Sequence, residues 1–205
     1  MSDTEKEIED EKIQLKRVFF GGDGAVGKTS MFLYYFAEKK PNLKHEYIPS
    51  TVSDANGSKI YTYKNTGEKI RIYYIDWGVG KDWERTSHLG YKGAAAVVLC
   101  FSIGSRSSFE NIEEYWYPFM KKYASKAPIV LCGTKTDMRT DELAKHNQKP
   151  ITNVEGKKLA QKIKAVGYFE CSSVEGRGVK ELFDAAAEAT HPDITKTKSE
   201  ECSVM

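Results

Sequence analysis

The sequence predicts an α/β protein with a doubly wound, mostly parallel six-stranded sheet and one antiparallel edge strand. Strand-like and helix-like segments alternate along the chain, which favours a parallel sheet with crossover helices. Residues 94–101 and 128–132 are nearly continuous apolar runs, as expected for strands buried on both faces. Residues 65–67 (Asn-Thr-Gly) separate two further strand-like runs and predict a hairpin turn, which supplies the antiparallel edge.

Six strands and four helices follow from these patterns. The predicted strands are residues 15–20, 59–64, 69–76, 94–101, 128–132 and 167–171. The predicted helices are residues 29–38, 107–123, 152–165 and 179–190. Ser107-x-x-Glu110 and Thr152-x-x-Glu155 each match a capping box, which places the starts of the second and third helices. Ligands of such sheets bind at the carboxyl ends of the strands.

Length and composition indicate one ordinary globular domain. The 205 residues are 40% hydrophobic and 29% charged, and the net charge of +2 forms no basic stripe, so we expect no nucleic-acid partner. The sequence contains no apolar run of about 18 residues, so no membrane span is predicted. We expect an acidic N-terminal extension over residues 1–13, a domain over 14–191 and a flexible tail over 192–205.

The cysteines and histidines do not suggest a disulfide framework or a metal centre. Cys100, Cys132 and Cys171 lie in or beside apolar runs, where we expect them to be small buried hydrophobic residues in a reducing, cytosolic compartment. The four histidines have no metal-ligand spacing and are predicted at the surface or in loops: His45, His88, His146 and His191.

A phosphate-binding loop is predicted directly after the first strand, at the start of a helix. Residues 22–29, GDGAVGKT, match the pattern G-x-x-x-x-G-K-[ST]. Glycines let the backbone curl around a phosphate, and the helix N-terminus adds a positive dipole end. Lys28 is expected to reach the β- and γ-phosphates, and the Thr29 hydroxyl to bind Mg²⁺. The predicted nucleotide-binding residues here are Gly22, Gly24, Ala25, Val26, Gly27, Lys28, Thr29 and Ser30.

A second motif favours guanine over adenine. Residues 133–137, GTKTD, follow a buried strand and contain the candidate base-binding residues Thr134, Lys135 and Asp137. A carboxylate can accept hydrogen bonds from both N1–H and the exocyclic amine of guanine, and adenine offers no such donor pair. An unsatisfied buried carboxylate costs about 1–3 kcal/mol or more, so Asp137 would discriminate between the two bases.

In this order the two motifs resemble the Ras superfamily of small GTPases, and further strings resemble its Rho family. Those strings are GDGAVGKT at Gly22, EYIP at Glu46, SFEN at Ser108, WYP at Trp116, GTKTD at Gly133, PIT at Pro150 and ECSS at Glu170. The resemblance implies a P-loop GTPase fold, Mg²⁺, bound GTP or GDP and a signalling switch linked to the actin cytoskeleton. It also implies effectors, a nucleotide exchange factor, a GTPase-activating protein and a GDP-dissociation inhibitor as partners.

The resemblance also assigns further site residues. It implies that Ser172 and Ser173 offer groups to the base, and that Asp76 holds Mg²⁺ through water. In the first switch one residue is extra, so either Thr51 or Ser50 could be the hydroxyl that binds Mg²⁺, with Thr51 preferred. Two further residues of this switch match nucleotide-contacting positions of the family: Tyr47, and Leu43 where a phenylalanine usually packs on guanine. The missing ring contact predicts faster nucleotide release.

The second switch departs most from the family pattern. Asp76 is followed by Trp-Gly-Val-Gly-Lys, and Gly80, or Lys81 after a one-residue shift, stands where the family has the glutamine that orients the attacking water. The resemblance therefore leaves no firm catalytic residue. Losing such a positioning group costs on the order of 10²-fold in rate, so we expect slow GTP hydrolysis.

The last four residues, Cys-Ser-Val-Met, match the C-a-a-X prenylation motif, with Cys202 as the lipidated residue. Prenylation would direct the protein to the cytoplasmic face of membranes, with the plasma membrane expected, in exchange with the cytosol. One prenyl chain anchors a protein only marginally, so membrane association is expected to be reversible.

Three functional hypotheses follow from the sequence. The first is a switch enzyme that binds GTP and hydrolyses it slowly, and the second is a pseudo-GTPase that binds GTP without useful turnover. The third is a P-loop enzyme that uses ATP, against which Asp137 and the prenylation motif argue. The nucleotide that co-purifies with the protein would separate them.

Overall fold

The computed structural model describes residues 13–37, 57–76, 91–139 and 149–193. These residues form a six-stranded sheet in the order β2-β3-β1-β4-β5-β6. Its strands are β1 (Leu15–Gly21), β2 (Gly57–Thr62), β3 (Lys69–Asp76), β4 (Ala96–Ser102), β5 (Ile129–Thr134) and β6 (Gly167–Glu170). Strand β2 pairs antiparallel with β3, and the other neighbouring strands are parallel. The predicted fold class is confirmed.

Helices cover both faces of the sheet. They are α1 (Lys28–Ala37), α2 (Arg106–Asn111), α3 (Tyr117–Tyr123), α4 (Asn153–Lys162) and α5 (Val179–Glu188), and a π-helical segment (Ile112–Trp116) joins α2 to α3. Helices α1 and α5 pack on one face, where Phe20, Phe32 and Phe183 are fully buried. The segment from α2 to α3 and helix α4 pack on the other face, around Leu99 and Trp116. Within the described residues no helix is both long and apolar enough to cross a bilayer.

The predicted hairpin turn is confirmed, but strand β2 ends two residues earlier than predicted. The Gly67 N–H donates to the Tyr63 carbonyl at 2.9 Å, and Gly67 has a φ of +70°, which favours glycine. Tyr63 leaves the strand because its ring is buried, its hydroxyl lies 2.7 Å from that of Thr190, and His191 packs against it edge-on. His191 thus lies in a turn, as predicted, but is buried. The other three histidines lie outside the described residues.

One of the two predicted capping boxes is present. The Glu155 N–H donates to the Thr152 hydroxyl at 3.2 Å and the Thr152 N–H donates to the Glu155 carboxylate at 2.8 Å, so helix α4 begins as predicted. The prediction that Ser107 caps the second helix is wrong, because Ser105 accepts from the Ser108 N–H and helix α2 already begins at Arg106.

The start of α2 is set by a buried contact rather than by the capping pattern. The Ser108 hydroxyl, only 2% exposed, accepts from the Ser102 N–H at 3.0 Å and donates to the Ser105 carbonyl at 2.9 Å. These bonds tie the first turn of the helix to the end of strand β4.

The predicted burial of the three inner cysteines is confirmed. Cys100, Cys132 and Cys171 are all buried, and the sulfur atoms of Cys132 and Cys171 lie 3.6 Å apart. Burial, together with the neighbouring thiols, raises the pKa of Cys132, so this thiol stays protonated and behaves as a small hydrophobic group.

Candidate nucleotide-binding site

The predicted site residues that the structure describes meet at the carboxyl ends of the parallel strands. The phosphate-binding loop follows β1, Asp76 ends β3, residues 134–137 follow or end β5, and Ser172 comes shortly after β6. Direct hydrogen bonds join these segments, so motifs that are distant in sequence form one site.

The phosphate-binding loop begins at a glycine that no other residue could replace without a shift in the backbone. Gly22 has a φ of +137°, and a Cβ atom there would lie 2.2 Å from the Cys100 carbonyl oxygen. The loop then curls around its own lysine: the Lys28 ammonium donates to the carbonyls of Gly22 and Asp23, each at 2.8 Å. The backbone is therefore curled as the motif predicts.

Lys28 is a buried cation poised for an anionic ligand. Its side chain is almost entirely enclosed, and burial lowers its pKa, while the nearby Cys100, Asp76 and Asp23 act in the opposite direction. Two backbone carbonyls accept hydrogen bonds from its ammonium, but they carry no full negative charge to balance it. A phosphate group would supply that charge.

Two predicted Mg²⁺ ligands lie in contact. The Thr29 hydroxyl donates to the Asp76 carboxylate at 2.5 Å. Burial raises the pKa of Asp76, and the Thr29 hydrogen bond and the Lys28 charge oppose that rise. A hydroxyl and a carboxylate are the oxygen donors that Mg²⁺ prefers, and protein Mg²⁺ sites often use only one or two carboxylates beside nucleotide phosphates. The donor set therefore fits Mg²⁺, which would neutralise charge on the phosphates when bound. The described residues contain no cluster of three or more His, Cys, Asp or Glu side chains suited to a metal.

The base-recognition motif is bonded directly to the phosphate-binding loop. The Thr134 hydroxyl lies 2.5 Å from the Val26 carbonyl and 3.0 Å from the Phe101 carbonyl. Lys135 has a left-handed backbone, and its ammonium donates to the Ala25 carbonyl at 2.6 Å. Ala25 is itself left-handed, with a φ of 61°, so this bond holds a strained residue of the loop.

Asp137 is oriented by the loop after β6. The Ser172 hydroxyl, fully buried, donates to the Asp137 carboxylate at 2.5 Å. The Thr136 N–H donates to the Cys171 carbonyl at 3.1 Å, which ties the two loops together through their backbones. Ser173, also buried, follows directly. The two predicted base-binding segments thus lie side by side, with the carboxylate fixed by Ser172.

Sequence reasoning missed a third set of residues at the site. The carboxylate of Asp23, a variable position of the phosphate-loop motif, accepts from the Asn111 amide and from the Trp116 indole N–H, each at 2.7 Å. Asn111 belongs to the SFEN string and Trp116 to the WYP string. The signal available in the sequence was the hydrogen-bond donor that each of these residues carries.

Several predicted site residues lie outside the described residues. They are Leu43, Tyr47, Ser50, Thr51, Gly80, Lys81 and Cys202. Arg139, the last described residue before residue 140, donates to both carboxylate oxygens of Glu170 and to the Ile151 carbonyl.

A family model described as Ras family matches residues 16–191, most of the chain. Members are small GTPases that bind guanine nucleotide and Mg²⁺, hydrolyse GTP, and act as switches on effectors under the control of exchange factors. The phosphate-binding loop, the Thr29–Asp76 pair and the Asp137 segment occur in the order and arrangement that this activity needs. The chain belongs to the Ras family.

Proposed function

We propose that this small GTPase is a Rho-like, membrane-associated switch with slow GTP hydrolysis and fast nucleotide exchange. Guanine nucleotide specificity is supported chiefly by one contact, the hydrogen bond that fixes the Asp137 carboxylate beside the loop of Ser172. A preset carboxylate acts on the guanine edge without first being ordered, which favours selectivity.

The Rho-like assignment is supported by contacts between the sequence strings that resemble the Rho family. GDGAVGKT, SFEN and WYP are far apart in the sequence, yet Asp23, Asn111 and Trp116 from these three strings are joined by hydrogen bonds. Strings that meet in one contact are stronger evidence of a shared origin than isolated matches, and they support effectors and regulators of the Rho type, with the actin cytoskeleton as the process.

Slow hydrolysis is proposed because glycine or lysine stands at the glutamine position of the second switch. Neither Gly80 nor Lys81 has both a donor and an acceptor with which to position a water. In single-turnover assays we expect Gly80→Gln to raise the hydrolysis rate by about 10- to 100-fold, because it restores the positioning group. Lys81→Gln tests the alternative alignment, in which a one-residue shift places Lys81 at the glutamine position.

The same assay tests the alternative, a pseudo-GTPase that stays bound to GTP. Val79, in place of the family's glycine in the second switch, favours that alternative. If wild-type protein keeps GTP unhydrolysed over many hours and co-purifies with GTP, the chain is a binding module. A wild-type rate equal to that of ordinary Rho proteins would end the slow-hydrolysis proposal.

Fast exchange and lipidation have separate tests. Leu43→Phe should slow release of GDP about two- to tenfold, since a ring on the guanine face contributes about 0.5–1.5 kcal/mol. Lipidation at Cys202 would give reversible residence on the cytoplasmic face of membranes, with the plasma membrane proposed. Cys202→Ser should move the protein to the soluble fraction, and an unchanged membrane fraction would refute the anchor.

A further inference from the structure

We propose that Asn111 and Trp116 are positioning residues for nucleotide binding, which act by holding the Asp23 carboxylate of the phosphate-binding loop. Both hydrogen bonds measure 2.7 Å, and each donor meets a different carboxylate oxygen. Bonds to a charged acceptor are stronger than neutral ones, so this pair can fix the loop. The proposal rests on the guanine nucleotide binding described above.

The π-helical segment explains how two residues five apart reach one carboxylate. In an α-helix with 3.6 residues per turn, such residues point about 140° apart. Here the Tyr117 N–H donates to the Ile112 carbonyl, a bond that spans five residues and widens the turn. The widened turn brings Asn111 and Trp116 to the same side of the helix. Such π-type turns occur frequently at functional sites.

Trp116 is held rigidly enough to act as an anchor. Its side chain is 3% exposed and belongs to the core on the α4 face of the sheet. The ring also lies close to Gly21, the last residue of β1, since a Cβ there would lie 3.5 Å from its Cε3 atom. An indole fixed in this way presents its N–H in one direction, and the energy of fixing it comes from the core rather than from the site.

The contact with Asp23 also separates two charges. Lys28 donates to the backbone carbonyl of Asp23, and the carboxylate of Asp23 faces the two neutral donors on the helix. The Asp23 carboxylate is thereby stabilised without a bond to the Lys28 ammonium, which stays available to bind a phosphate group. A carboxylate released from the helix could approach the bound phosphates, and like charges repel.

The test is an exchange of the two polar side chains, with release of the fluorescent nucleotide mant-GDP as the readout. Asn111→Asp places two carboxylates in contact, and we expect release to accelerate about tenfold or more. Asp23→Asn should have a small effect, because a flipped Asn111 amide can accept from the new amide. The double variant Asp23→Asn with Asn111→Asp restores a donor facing a carboxylate, and its release rate should return to within about threefold of Asp23→Asn.

Trp116→Phe removes the indole N–H together with part of the buried ring, and it should accelerate release about fivefold. Phe109→Leu is the matched control for packing. Phe109 lies on helix α2, as Asn111 does, and the centroid of its ring lies 4.9 Å from that of Phe101 in β4. It should lower the melting temperature with little change in release.

A double variant that releases mant-GDP as fast as Asn111→Asp alone would overturn the proposal, as would release rates that simply follow the melting temperature. Wild-type protein that fails to retain mant-GDP would instead contradict the assignment of guanine nucleotide binding. The two failures are therefore distinguishable.

Discussion

The phosphate-binding loop and the base-binding loops are held in different ways. The phosphate-binding loop packs closely against the backbone of Cys100 in β4. Hydrogen bonds from elsewhere fix it: from the helix residues Asn111 and Trp116, and from Thr134 and Lys135 on the base side. Beyond Thr134 and Lys135, the base-binding loops are held by bonds to each other. They follow β5 and β6, which are paired in the sheet, and the Asp137–Ser172 bond joins them.

This difference predicts how far the effect of a substitution spreads. A change near the phosphate-binding loop alters an arrangement to which several elements contribute, so nucleotide affinity as a whole should respond. A change at the Asp137–Ser172 contact alters only the pair of neighbouring base-binding loops, so the choice of base should respond while phosphate binding persists.

The largest effect is expected for Lys28→Ala. The substitution removes the buried cation that is expected to meet the nucleotide phosphates, so about two charge-assisted hydrogen bonds to the ligand are lost. At about 1.5–3 kcal/mol each, the dissociation constant for mant-GDP should rise about a thousandfold. Titration of nucleotide-free protein measures this.

Lys180→Ala is the control for the loss of a positive charge. Lys180 is exposed and pairs with Asp184 on helix α5, so removing it should leave the dissociation constant unchanged. Equal losses in the two variants would mean that net charge, and not the loop geometry around Lys28, controls binding.

An intermediate and more selective effect is expected for Ser172→Ala. Without its donor the Asp137 carboxylate loses its fixed orientation, and guanine nucleotide affinity should fall about tenfold. Competition between GTP, ATP and inorganic triphosphate measures the effect: the preference for GTP over ATP should shrink, and triphosphate binding should persist. Ser58→Ala, at an exposed position of β2, is the matched control. A parallel loss for all three ligands would contradict the separation of the two regions.

Much of the fold could be predicted because it depends on local patterns. The strand-like segments that alternate with helices along the chain predicted the bounds of all six strands to within about two residues. The Asn-Thr-Gly turn predicted the position of the antiparallel edge. The fixed positions of the phosphate-loop motif, Gly22, Gly27, Lys28 and Thr29, could also be placed, since the backbone geometry of that loop requires those residue types.

The missed features depend on contacts between distant residues. Ser105, Ser107 and Ser108 lie within four positions, and local capping rules do not choose among them. The buried bond from the Ser102 N–H to the Ser108 hydroxyl does. Likewise Asp23 occupies a variable motif position, and its importance follows only from the π-helical turn that brings Asn111 and Trp116 to it.

The smallest effect is expected for Glu155→Gln, which lies outside both loop regions. Hydrogen bonds from Arg106, and then from the Thr152 backbone, lower the pKa of Glu155 from 4.5 to about 2. A carboxyl whose pKa is lower in the folded state adds stability above its unfolded pKa, and that stability is lost as the pH falls from about 4.5 toward 2. Because the Arg106 and Glu155 side chains are 43% and 36% exposed, solvent screening reduces the contribution to about 1 kcal/mol.

Urea unfolding of Glu155→Gln should therefore show a deficit of about 1 kcal/mol at pH 7 that shrinks steadily below pH 4.5. The Arg106–Glu155 pair joins the start of α2 to the start of α4, so it bears on the helix that presents Asn111. If the phosphate-binding loop is fixed by the Asn111 and Trp116 bonds themselves, mant-GDP release from this variant should match wild type at pH 7. Faster release would mean that the position of α2 as a whole, and not those two donors, holds the loop.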